Sequence, residues 1–359
     1  MSTDGRKFFR DDVQQMLHYN VPSSVKGIEL QRNESPLELP VRIRDEIVDR
    51  IRHLAWRRYP ELAQTSLRKA AREALDLPAG MDVAFGNGSN ELIDAIVTAC
   101  IDVSSSAVIP QPTYSIYERM IRLAHGTPIL LPPQPDLEFD ARSILEAAQA
   151  SSARVVFLCR PNNPTGGSMD LSDVDWLAAR LDALLVVDEA YVEFANDDAL
   201  SLSAQHENVL LLRTFSKALC SAGLRIGYAI GSEDLIEQIL KTLAPYNLGV
   251  MAIAAIRVAL DYREELIPSH AGIVAERQRL VAELKTLKGT TVLPSQTNFV
   301  CLRSPRSGSE LTACLATRGI YVRDLSTYPG LHDAIRVTVG TTEEDDQLIE
   351  AIRTELEAK

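Results

Sequence analysis

The sequence predicts an α/β fold in which a mostly parallel central sheet with flanking helices is joined to a smaller α+β domain. Three observations predict it. From about residue 81 short β-branched runs alternate with helical stretches, the layout of a parallel sheet covered on both faces. Several runs are apolar without strict alternation, as strands buried on both faces are. After about residue 245 the pattern turns to a long helical tract followed by isolated strand-like runs.

In chain order, the first 45 residues carry scattered polar groups, NVPSS at 20–24 and NESPLELP at 33–40. This stretch is expected to be an N-terminal arm and small-domain segment, lying across another surface such as that of a partner subunit. Residues 46–250 are expected to form the large α/β domain. Its strands are DVAF near 82–85, SAVIP at 106–110, TPILL at 127–131, RVVFLC at 154–159, LLVVDEA at 184–190, NVLLLRTF at 208–215 and RIGYAI at 225–230. Helices fit between them, one opened by Ser89-Asn90-Glu91 and one at LSDVDWLAARL, where apolar residues recur at helical spacing. Residues 251–359 are expected to form the small α+β domain. Its helical tract is interrupted at Pro268, with Ile273, Leu280, Leu284 and Leu287 on one face. Strands follow at TNFVCL (297–302) and AIRVTVG (334–340), with helices near 309–318 and 342–357.

Composition bounds the function. The 359 residues are 46% hydrophobic and 24% charged, as in a soluble globular protein. A formal net charge of −12 removes any global electrostatic case for nucleic acid or an anionic membrane while allowing a local basic pocket. The five cysteines, at 100, 159, 220, 301 and 314, form no CxxC pair, and the six histidines are dispersed. Neither a disulfide framework nor a metal site is expected. No apolar run is long enough to cross a bilayer and the opening MSTDGRKFFRDDV has no signal-peptide core, so a cytoplasmic location is expected.

Open α/β sheets bind ligands beyond the carboxyl ends of their strands, and four motifs stand there. GNGSNE at 86–91 joins a strand to a helix whose free N–H groups can receive an anion; read alone, it is also an ordinary turn and cap. RPNNPTGG at 160–167 puts two asparagines in a proline-stiffened turn. LLVVDEAYVEF sets Asp188 after four apolar residues, where a carboxylate must be solvated or paired; it caps the next element or faces a heterocyclic nitrogen. RTFSKALCSAGLRIGY places Lys217 after an apolar strand, beside the hydroxyls of Thr214 and Ser216. A shielded amine there can be neutral and attack a carbonyl. An amine, an acid, an amide, a phenol and a phosphate cradle of hydroxyls and helix N–H groups are together the parts of a pyridoxal 5'-phosphate site.

The order NNPTG, DEAY, SKxxxxAGLRxG resembles the fold-type I pyridoxal-phosphate-dependent aminotransferases. The details HYNVPS, NESP, RRYP, PTYSIY, PYNL, TNF, GIYVRD and IRVTVG are similar to the histidinol-phosphate aminotransferase branch. The resemblance spans nearly the whole chain and implies roles residue by residue. Lys217 binds the cofactor covalently and moves the substrate proton. Asp188 pairs with the ring nitrogen, Asn163 and Tyr191 bond its phenolic oxygen, and Tyr114 stacks on the ring. Ser89, Asn90, Thr214, Ser216 and Arg225 hold the phosphate, with Tyr59 reaching it from the second subunit of a homodimer. Arg336 clamps a substrate carboxylate, Arg323 receives a side-chain phosphate, Tyr19 closes the pocket and Asn298 supports it. The implied reaction exchanges an amine between L-histidinol phosphate and 2-oxoglutarate, giving imidazole-acetol phosphate and L-glutamate in histidine biosynthesis. Similar relatives act on aromatic amino acids or decarboxylate threonine phosphate. Three departures stand out: NESPLELP replaces the branch's usual NENPYGPSP, Asn90 stands where Asp is usual, and Arg160 precedes PNNPTG.

Overall fold

A computed structural model describes residues 5–17, 26–266 and 269–357. Its strands, in chain order, are β1 (Ile28–Leu30), β2 (Met81–Asn87), β3 (Ser106–Pro110), β4 (Thr127–Leu131), β5 (Val155–Cys159), β6 (Leu184–Asp188), β7 (Val209–Thr214), β8 (Ile226–Ser232), β9 (Thr291–Val292), β10 (Phe299–Arg303), β11 (Ile320–Asp324) and β12 (Ala334–Thr338). Seven form a large sheet in the order β2-β8-β7-β6-β5-β3-β4. All its strands run one way except β8, which is antiparallel to both β2 and β7.

The apolar runs without alternation are explained by two cores. Val156, Leu158, Leu185, Val187 and Leu211 pack on one face of the large sheet, while Phe157, Val186, Leu210, Leu212 and Ala229 pack on the other. Consecutive strand residues point to opposite faces, so a strand covered on both has no polar side to show. Local chemistry sets the helix starts: Asp140 and Ser232 accept from backbone N–H groups of the helices Ala141–Ser151 and Glu233–Thr242. Ser307 and Glu310 form a reciprocal capping box.

The second sheet, β1-β11-β12-β10-β9, is antiparallel except that β1 pairs parallel with β11. Ile273, Leu280, Leu284 and Leu287 pack against it as the helical spacing predicts. Three of its strands differ from the sequence reading. β1 and β9 are only three and two residues long, too short to leave a periodic signal, and β11 has just two buried residues, Ile320 and Val322, among half-buried ones. The arm has a definite place. Through β1 it joins the chain's own smaller sheet, and Leu30, Asn33 and Leu39 are buried. Tyr191, Phe194 and Ala218, which follow strands of the large sheet, belong to the core of the smaller one, so the two sheets meet at the ends of β6 and β7. Among the described residues no helix is long and apolar enough to cross a membrane.

Candidate active site

A cavity of about 390 Å³ opens where the sheets meet. The ends of β5, β6 and β7 deliver Cys159, Asp188 and Thr214 to it. The helix start after β2 adds Ser89 and Asn90, and the smaller sheet adds Arg323 and Arg336. Tyr114, Asn163, Tyr191, Ser216, Lys217 and Arg225 complete the sequence-named residues on its wall.

Asp188 ends β6 and is buried. The Tyr117 hydroxyl donates to its Oδ2 at 2.5 Å and the Ala190 N–H to its Oδ1 at 3.1 Å. Burial raises its pKa to about 6, against the lowering effect of those two donors. The neighbouring Glu189 faces the other way and pairs with Arg213 at 2.7 Å. One residue of chain thus separates a carboxylate in the cavity from one locked in an ion pair.

Lys217 donates to the Arg32 carbonyl at 3.0 Å. Desolvation, reinforced by the charge of Arg336, brings its pKa down to about 7, so much of the amine is neutral near neutral pH. Tyr191 accepts from Asn33 Nδ2 at 2.9 Å, and burial pushes its phenol upward. Asn163 Oδ1 accepts from Arg336 at 2.6 Å, and Arg336 also donates to the Gln31 carbonyl at 2.8 Å. Arg336 stands opposite Arg323 in the β11–β12 register, which brings two guanidinium groups to one wall. Arg323 has no hydrogen-bond or ion-pair partner among the described residues.

The opposite end is built for an anion. Thr214 Oγ1 lies 3.0 Å from Ser216 Oγ, which lies 3.5 Å from Arg225. The helix Ser89–Cys100 begins beside them. At Gly227 a Cβ would collide with the backbone of Gly88 and Ser89, and at Gly88 with the Arg225 guanidinium. Both glycines let β8, the helix start and Arg225 close on one small volume. Hydroxyls, free helix N–H groups and an arginine around such a volume fit a phosphate, while the desolvated amine and buried carboxylate fit the aldehyde and ring nitrogen of pyridoxal phosphate.

Among the described residues two named ones are not on this wall. Tyr19 lies outside the described residues. Tyr59 is 81% exposed and stacks on Tyr246 with ring centroids 4.6 Å apart. Asn298 is buried and donates to the Asn33 carbonyl at 3.1 Å, so it supports the arm from behind. The departures also find places: Asn90 accepts from the Tyr114 hydroxyl at 3.1 Å, while Arg160, 1% exposed, donates to the Met169 carbonyl and pairs with Asp197. Sequence reasoning missed Tyr117, Cys159, Asn33 and Tyr328. PTYSIY and NESP contain two of them, yet nothing in those motifs says that Tyr117 reaches Asp188 or that Asn33 reaches Tyr191.

Residues 25–352 match the family Aminotransferase class I and II. The chain is 33% identical to histidinol-phosphate aminotransferase from Chlorobaculum parvum over 99% of its own length and 100% of that protein. It is 35% identical to the Chlorobaculum tepidum protein of the same name, over 91% of this chain and 93% of that one. Among solved structures, histidinol-phosphate aminotransferase from Sinorhizobium meliloti in complex with pyridoxal-5'-phosphate superposes with a TM-score of 0.86 at 25% identity, covering 99% of each chain.

Proposed function

We propose, from the premise that the chain belongs to the class I and II aminotransferases, that it binds pyridoxal 5'-phosphate and moves an amine between L-glutamate and imidazole-acetol phosphate, releasing L-histidinol phosphate. The observation that carries this reading is one cavity with a neutral-leaning amine and a buried carboxylate on one wall and the register-paired Arg323 and Arg336 on another.

The bound cofactor supplies an aldehyde that accepts the amine and a ring that draws electron density from the substrate α-carbon. The chain's residues do the rest. Lys217, whose pKa of about 7 leaves about half of it neutral at neutral pH, would hold the cofactor through its amine and, when free, would move a proton at the substrate α-carbon. Asp188, ionised above about pH 6, would keep the ring nitrogen protonated. Asn163 and Tyr191 would bond the ring's phenolic oxygen and Tyr114 would stack on its plane. Thr214, Ser216, Arg225 and the N–H groups at Ser89 and Asn90 hold the phosphate. Arg336, already oriented by Asn163 and Gln31, takes the α-carboxylate of glutamate with a planar fork; Arg323 takes the phosphate of the other substrate.

The exposure of Tyr59 outside its own chain's cavity supports the homodimer reading, in which it reaches the second subunit's phosphate site. The test is a substrate panel with cofactor-saturated protein and 2-oxoglutarate. Histidinol phosphate is the preferred amine donor, well ahead of free histidinol, phenylalanine and tyrosine. Preference for an unphosphorylated aromatic amino acid, or carbon dioxide release from threonine phosphate, overturns the substrate assignment.

A further inference from the structure

Tyr117 lies on the helix Ile116–Leu123, three residues beyond Tyr114, and is fully buried. Its ring stacks on Phe157, with centroids 4.8 Å apart and planes 10° from parallel, and meets the Tyr114 ring edge-on at 5.6 Å and 85°. Its hydroxyl donates to Asp188 Oδ2 at 2.5 Å. One side chain therefore touches both the aromatic that would face the cofactor ring and the carboxylate that would face its nitrogen.

The hydroxyl has a specific task. Asp188 sits in a desolvated place that favours its neutral form, and Glu189, the next residue in the chain, adds a like charge. The other titratable groups facing it are the Cys159 thiol on β5 and the Tyr191 phenol on the loop after β6, both pushed upward by burial and so uncharged. Tyr117 is pushed well upward by burial and by the charge of Asp188, so it stays a donor. Among the described residues it supplies the side-chain hydrogen bond on Asp188, and the Ala190 backbone supplies the other. A carboxylate needs such donors to remain charged out of water.

We propose that Tyr117 is a positioning residue with two separable parts: its hydroxyl aims the Asp188 carboxylate and keeps it charged, and its ring sets the plane of Tyr114. This rests on the cofactor reading above, and the two parts are separated by Y117F, which keeps the ring, and Y117L, which removes both.

The first measurement is made on cofactor-free full-length protein, by infrared difference spectroscopy of the carboxyl band during pH steps, with D188N identifying the Asp188 signal. In Y117F the titration moves upward by roughly one pH unit or more. The second is the induced circular dichroism of bound pyridoxal phosphate, which reports the asymmetry of the ring's surroundings: Y117F retains it and Y117L loses most of it. Asp188 titrating identically in wild type and Y117F overturns the hydroxyl's role, and an unchanged signal in Y117L overturns the ring's. If Y117L folds poorly, Y117F still decides the hydroxyl's part, since removing one buried hydroxyl leaves the packing volume nearly intact, and Y117M, which fills more of the ring's volume, replaces Y117L in the dichroism measurement for the ring's part. Wild-type protein that takes up no pyridoxal phosphate would instead sink the functional reading, while the cofactor-free titration still decides whether Tyr117 governs Asp188.

Discussion

The two walls of the cavity are built on different principles. The large-sheet wall consists of residues at or just past strand ends, Asp188 ending β6, Thr214 ending β7 with Lys217 three residues on, and Ser89 two residues past β2, so each is in a ladder or within three residues of one. The small-sheet wall depends on lateral pairing. Arg323 and Arg336 lie thirteen positions apart in the chain and meet only because β11 and β12 pair in one register, with the arm carbonyl of Gln31 and the Asn163 amide orienting one of them. A wall made of strand ends suits a permanent group whose atoms never change. A wall made of long arginine side chains across a register suits substrates that alternate in one site.

This contrast can be broken at four points, from the largest expected effect to the smallest. Lys217→Ala removes the amine shared by both half-reactions, so turnover falls by at least roughly a hundredfold to ten-thousandfold with either substrate. Cofactor remains bound without the covalent absorbance band, and near-normal turnover would refute the assignment. Arg323→Ala acts on one wall only. KM for histidinol phosphate rises by about ten- to a hundredfold, as expected for a lost charge-assisted contact, while KM for glutamate changes far less; equal penalties in steady-state kinetics would erase the distinction between the walls.

Gly227→Ala probes the strand-end wall without touching a donor. The added Cβ meets backbone of Gly88 and Ser89, which cannot swing aside as a side chain can, so pyridoxal phosphate affinity by fluorescence quenching drops about tenfold. Unchanged affinity would show that the phosphate cradle is looser than its packing. The mildest probe is pH. With Lys217 titrating at about 7 and Asp188 at about 6, acidification first protonates the amine and then neutralises the acid. Covalent capture of cofactor, followed by stopped-flow absorbance on cofactor-free protein, levels off above about pH 8 and slows by about tenfold per unit well below pH 7; a rate that keeps rising about tenfold per unit from pH 8 to 10 contradicts a depressed lysine.

Much of the strand-end wall was readable beforehand, because apolar runs announce strands and polar residues immediately after them announce the carboxyl edge. SAVIP and TPILL match β3 and β4 residue for residue. The reversed direction of β8 was not readable, since an apolar strand buried on both faces looks the same in either orientation. The strand within the arm was not readable for a different reason: three residues of β1 gain their stability from pairing with β11, a contact nearly three hundred positions away and invisible in local composition.

Within the cavity the same division holds at the scale of single residues. Asp188 and Glu189 are adjacent acids, and the chain order offers no ground for choosing between them beyond resemblance. Arg213 arriving from β7 engages Glu189, and the Tyr117 hydroxyl arriving from a helix engages Asp188. Local pattern was sufficient for the layered architecture and for the kinds of chemical group at the strand ends, because periodicity and turn chemistry act over a few residues. Which of those groups are charged, paired or aimed at one another was decided by folding alone, because desolvation and hydrogen bonding depend on neighbours that the chain supplies from far away.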